Sequence, residues 1–226
     1  MRLKGLIHKI KQVLLEPERF FNSVKKEKGL KAQTVFLVTV VFFVFLFLTY
    51  NYIQQINSFL HLLAQYYGLT AFNHIPLNIK TYAIFYFSLV ILYLLLALLR
   101  YAVTHFFVKL FNSNATYQET YKAMVYTRSP EFFSAPILLI LTILFPFALA
   151  KPILWSIWGV FFLAFLALSI YQIILRTKGL SKLQDISYLK SFLSIYIFGQ
   201  IMQLIIILTI EVLLVGLIGF VLYFIF

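Results

Sequence analysis

The 226-residue chain contains no cysteine, which excludes disulfides and thiolate chemistry. Charge is scarce: Asp, Glu, Lys and Arg make up 12% of the residues, against about a quarter in ordinary soluble domains. The four histidines, His8, His61, His74 and His105, are far apart and show no metal-ligand spacing. Glycine-rich phosphate loops of the GxxxxGK[ST] or GxGxxG kind are missing, as is a GxSxG elbow. Nor do two carboxylates fall together as an acid/base pair. These absences point to a non-enzymatic protein without cofactor or metal. The opening MRLKGLIHKIKQ does not read as a signal peptide, because Lys4, His8, Lys9 and Lys11 interrupt any apolar run and no small-residue cleavage site follows.

What the chain has is apolar length. Hydrophobic residues make up 62%, with 26 Phe and 15 Tyr. Crossing about 30 Å of hydrocarbon takes about 20 mostly apolar residues, and five stretches are long enough. The spacing predicts an all-α integral membrane bundle with spans near 32–50, 81–99, 132–150, 152–175 and 196–223, preceded by a basic segment over 1–31. The gaps between the uncharged stretches hold nine, one, four, one and four Lys or Arg residues, so 17 of the 19 cations fall in alternate gaps. By the positive-inside rule the N-terminus is cytoplasmic and the C-terminus outside. The net charge of +12 is then explained by orientation and anionic lipid rather than by nucleic acid.

Leu3, Leu6, Ile7, Ile10, Val13 and Leu14 recur at helical spacing opposite Arg2, Lys4, Lys9 and Lys11, which predicts an amphipathic interfacial helix. Pro17 opens a second short helix with Phe20, Phe21 and Val24 on one face, and Gly29 suits its end. After the first span, Asn51, Gln54, Gln55 and Asn57 close the apolar run, and the segment from Phe59 to Tyr67 reads as a helix lying flat on the outer surface. Trp155, Trp158 and Lys151 mark the outer end of the fourth span. Thr116 with Glu119, and Ser181 with Gln184, both read as capping boxes opening short inner helices. Their 65-residue separation suits a duplicated unit of span, capped helix and span.

Glu211 is the one charge inside the last span. A mid-span carboxylate costs roughly 2.5–3.5 kcal/mol on the insertion scale, so it is expected to face the bundle interior. Gln200 and Gln203 lie near the same helical stripe and Gln172 can join them, as a helix-to-helix hydrogen-bond cluster or as a polar path for a transported solute, proton or lipid. Tyr117, Tyr121 and Tyr126 with Lys122 and Arg128 form either a docking surface or an interfacial aromatic helix.

Three inner segments carry a family resemblance. Leu15-Glu-Pro-Glu-Arg-Phe-Phe21 resembles the opening motif of prokaryotic Yip1-domain membrane proteins. Asn114-Ala-Thr-Tyr-Gln-Glu-Thr-Tyr-Lys-Ala-Met-Val-Tyr126, followed by Pro130, is similar to the second motif, and Lys178-Gly-Leu-Ser-Lys182 resembles the third. Asn112 and Asn114 stand where glycines commonly precede the second motif. The resemblance implies a multi-pass protein of a cell membrane, bacterial or archaeal, or of an endomembrane if eukaryotic. Eukaryotic relatives are trafficking factors associated with Rab-type GTPases. Together with the basic inner segments, this suggests a membrane-organising protein that docks anionic lipid head groups or protein partners through Lys9, Lys11, Pro17, Phe20, Phe21, Thr116, Tyr117, Glu119, Tyr126, Pro130, Ser181 and Lys182. A transporter, channel or lipid-translocating protein with a path past Glu211 is the alternative.

Overall fold

The computed structural model describes residues 3–67, 78–111, 114, 116–199, 201 and 205. Among these residues the regular structure is helical throughout. The order is α1 (Leu3–Leu15), α2 (Pro17–Lys25), α3 (Lys31–Tyr67), α4 (Ile79–Leu110), α5 (Tyr117–Tyr126), α6 (Glu131–Ala150), α7 (Pro152–Gln184) and α8 (Tyr188–Phe192). A π-helical stretch, Leu193–Phe198, follows α8.

Three of these helices hold stretches long and apolar enough to cross a membrane: Lys31–Leu62, Ile79–Leu110 and Ile153–Gln184. A fourth arises if α5 and α6, bent by 45° at their junction, count as one broken span. The apolar faces are turned outward. None of the most apolar window of α7 is buried, against 44% of that in α3, and Ile153, Val160 and Leu163 are exposed on α7. In water such a surface would be an association hazard, whereas lipid accepts it. Only the beginning of the last expected span, 196–199 with 201 and 205, is described, and Gln200, Gln203 and Glu211 lie outside the described residues.

The first long helix does not stop at Tyr50. No Pro or Gly interrupts residues 31–67, so α3 runs on through Asn51 and Asn57 to Tyr67, 37 residues in all. At 1.5 Å per residue that is about 55 Å. α4 likewise continues past Leu99 to Leu110, with Asn78 capping its start by accepting from the Thr81 N–H at 2.9 Å. α6 and α7 form a tight hairpin whose only non-helical residue is Lys151, in extended backbone. Near that turn Phe145, Trp155, Trp158 and Phe162 pack together, and Trp158 Nε1 donates to the Leu141 carbonyl at 3.2 Å.

The second expected capping box is overturned. Ser181 and Gln184 lie in the last turn of α7, which ends at Asp185 in the left-handed region, φ 52°. Ser181 Oγ instead donates to the Ile186 carbonyl at 2.6 Å. The next short helix is opened six residues later by Ser187, whose side chain accepts from the Lys190 N–H. An Asp tolerates left-handed backbone better than most residues, so the helix ends without a Gly to mark it. Similarly, α2 ends at Lys25, and Gly29, φ +78°, serves the turn into α3 rather than the helix cap.

The tightly packed core sits at one end of the bundle. Val13, Phe20, Phe21, Val24, Phe36, Tyr101, Val108, Tyr126, Leu180 and Leu183 belong to one buried cluster. There α1, α2, α5 and the C-terminal end of α7 come together, gathering most of the chain's cations. Lys80 and Lys151 lie at the opposite end.

Candidate functional site

The basic end is assembled around α5. Its N-terminus is closed as expected: the Thr116 N–H donates to Glu119 Oε2 at 2.7 Å. Every residue from Thr120 to Pro130 is buried, because α5 is wedged against α2, α3, α4 and α7. Tyr121 and Tyr126 are therefore core residues and Tyr117 is half-buried, so this face of aromatics supports neighbours instead of meeting solvent. Phe20 packs edge-on against Phe21 and Tyr126, with ring centroids 5.4 and 4.9 Å apart.

Polar contacts tie the N-terminal helices to this platform. Lys9 Nζ donates to Glu27 Oε1 at 2.9 Å and to the Tyr126 hydroxyl at 2.7 Å. Gln33 Nε2 donates to Glu27 Oε2 at 2.6 Å, and Lys122 Nζ to the Glu27 carbonyl at 2.6 Å. Burial, and then the Glu27 carboxylate beside it, push the Tyr126 phenol well up, so it stays protonated. Lys25 pairs with Asp185, and the Tyr171 hydroxyl donates to the Leu14 carbonyl. Gln184 Nε2 donates to Thr120 Oγ1, which also shares a 2.8 Å hydrogen bond with His105 Nδ1.

Beside α5 lies a charge cluster that hydropathy does not reveal. Glu131, at the first position of α6, receives Arg128 Nη1 at 3.1 Å, Arg176 Nη2 at 2.9 Å and Gln172 Nε2 at 2.7 Å. Arg128 is 3% exposed. Its Nε donates to the Tyr101 hydroxyl at 2.6 Å and its Nη1 to the Tyr93 hydroxyl, while its guanidinium lies 4.8 Å from the Tyr93 ring centroid. Burial alone would push Arg128 down. The Glu131 carboxylate and the two phenol oxygens outweigh it and hold the group charged, well above its ordinary value. Arg100 is close enough to feel the charges of Arg176 and Arg128, and its Nε and Nη2 have no hydrogen-bond partner. Two guanidiniums thus share the Glu131 carboxylate, with that of Arg100 close by.

Of the expected site residues, the structure brings Lys9, Phe20, Phe21, Tyr117, Tyr126 and Pro130 into one packed end. Lys11, Thr116 and Lys182 are exposed around it, and Pro17 opens α2. Gln172 is committed to Glu131 at this same end. The cluster of Arg100, Arg128, Glu131 and Arg176 is not among the expected sites. The signal available in the sequence is an acid at a helix start three residues after an Arg, a favoured i, i+3 pair next to the helix dipole.

A helical bundle with outward apolar faces, three or four membrane-length stretches and most of its described charges collected at one end is a multi-pass membrane protein. A family model described as the Yip1 domain matches residues 11–210, a range holding all three motif segments, and the chain belongs to that family. Neither a curated protein nor a solved structure matches it.

Proposed function

We propose that this Yip1-type membrane protein is a non-enzymatic organiser that docks anionic groups, lipid head groups first, on its basic end. On this reading the chain makes five spans, with the basic end cytoplasmic and the C-terminus outside, as the alternating charge requires. The observation that carries it is how the acids are used. Glu27, Asp185 and Glu131 are spent internally on Lys9, on Lys25, and on Arg128 with Arg176. Lys11, Lys26, Lys28 and Lys182 stay exposed, with no acidic partner among the described residues. Internal pairing makes the platform rigid, and the unpaired surplus faces the leaflet or a partner.

The experiment is retention of lipid by the purified full chain extracted from vesicles of equal phosphatidylglycerol and phosphatidylcholine. Each lysine near an anionic leaflet contributes about 1 kcal/mol. The combined Lys11→Gln, Lys26→Gln, Lys28→Gln and Lys182→Gln variant should therefore lose its enrichment in phosphatidylglycerol at least about tenfold. Undiminished enrichment in a folded variant defeats the reading.

A further inference from the structure

At the end opposite the basic platform, a cleft of about 680 Å³ opens between α3 and α6. One wall is polar: Tyr50, Asn51, Gln54, Gln55 and Ser58. The other is apolar, with Ile143, Phe145, Pro146 and Phe147. None of the described lining residues carries a charge. Asn51 is only 6% exposed, yet neither its Nδ2 nor its Oδ1 has a hydrogen-bond partner. A buried amide with donors and acceptor all unmet is rare in native proteins and calls for an occupant. Pro146, on the same lining, has no amide hydrogen, so the carbonyl of Thr142 lacks its usual helical donor.

We infer that this cleft is a lipid site, taking a hydroxyl-rich, uncharged head group against Asn51 and the glutamines and the upper acyl chain against the α6 wall. Amides both donate and accept, as hydroxyls do, so each sugar or glycerol hydroxyl finds a complement. A phosphate would find no cation among the described lining residues to neutralise it. The volume falls within the range of small-molecule pockets and far exceeds the about 30 Å³ of a single water. Ile143, Phe145 and Phe147 of the apolar wall are themselves exposed, so a chain can enter sideways. This site is separate from the basic end and does not depend on its reading.

The test uses the full chain extracted from vesicles that hold diglucosyl-diacylglycerol, phosphatidylcholine and phosphatidylglycerol in equal amounts, with bound lipid read by native mass spectrometry. The lysine variant above serves as background, so that the basic end does not contribute. Diglucosyl-diacylglycerol should be retained over each phospholipid by about five- to tenfold, the weight of one to two neutral hydrogen bonds. Asn51→Leu, close to Asn in size, should abolish the preference. Pro146→Ala, which returns an N–H to the Thr142 carbonyl, should reduce it in part, and carries the test if Asn51→Leu does not fold. Equal retention of the three lipids, no retained lipid (water alone in the cleft), or a preference untouched by the variants overturns the inference.

Discussion

Glu131→Ala is expected to be the most damaging single substitution at the basic end. The carboxylate is the shared acceptor for Arg128, Arg176 and Gln172, and the two guanidiniums are almost wholly buried, with side chains 3% and 11% exposed. Removing one partner of a buried pair leaves an uncompensated charge and costs about 3–5 kcal/mol. Here two arginines are stranded at once beside a third, Arg100, that already has unmet donors. For a chain of this length that corresponds to a fall in midpoint of roughly 10 °C, read from the far-UV circular dichroism of the detergent-solubilised protein. Glu131→Gln separates charge from hydrogen bonding. It keeps acceptors for the guanidiniums and is expected to fall between wild type and alanine. Arg176→Gln should be milder still, because Arg128 and Glu131 stay paired. An alanine variant melting with the wild type would mean that the arginines find other anions, and the cluster would lose its structural importance.

This cluster also shows where sequence reading stops. The helices are legible because their cause is local: apolar runs of sufficient length, Pro17 and Pro152 at first positions, and the Thr116–Glu119 box. The gathering of the basic segments at one end is legible too, since charges in alternate gaps must share a side if the helices between them cross. The pairing is not legible. Lys9 meets Tyr126 across 117 positions and Arg176 meets Glu131 across 45, and no periodicity encodes such partners. Glu211 stands out because it is isolated in an apolar run, whereas Glu131 passes as the first residue of a span. Likewise Ser181 and Gln184 match a capping box in type and spacing, but α7 keeps its hydrogen bonds on to Gln184 because nothing before Asp185 breaks it. The side chains the pattern assigns to a cap are spent on Ile186, Thr116 and Thr120.

Gly179→Val is expected to release the N-terminal helices. In α7 this glycine is where α2 approaches the helix backbone: a Cβ added there would sit 2.7 Å from Phe21 Cζ and 3.0 Å from Thr127 Cγ2. Neither neighbour has room to retreat, since Phe21 is 1% exposed and Thr127 fully buried. Two effects compete. Replacing a mid-helix Gly by Ala gains up to about 1 kcal/mol of helix propensity, while forcing atoms into a packed core costs typically 1–3 kcal/mol. For alanine the overpacking should win by a small margin. For valine the branched side chain widens the clash and gives up part of the propensity gain, so α2 should be displaced. The measurement is limited trypsin digestion alongside the thermal midpoint: cleavage after Lys25, Lys26 and Lys28 should accelerate by about tenfold or more as the docked state loses more than about 1.4 kcal/mol. Gly159, where an added Cβ would meet no atom within 4 Å, supplies the control, and Gly159→Ala should leave the digestion unchanged while holding or raising the midpoint. Phe21→Leu in the Gly179→Ala background should recover part of the loss, a coupling expected only between touching residues. If Gly179→Val digests like the wild type, α2 does not rest on α7, and the packed basic end would have to be rebuilt without it.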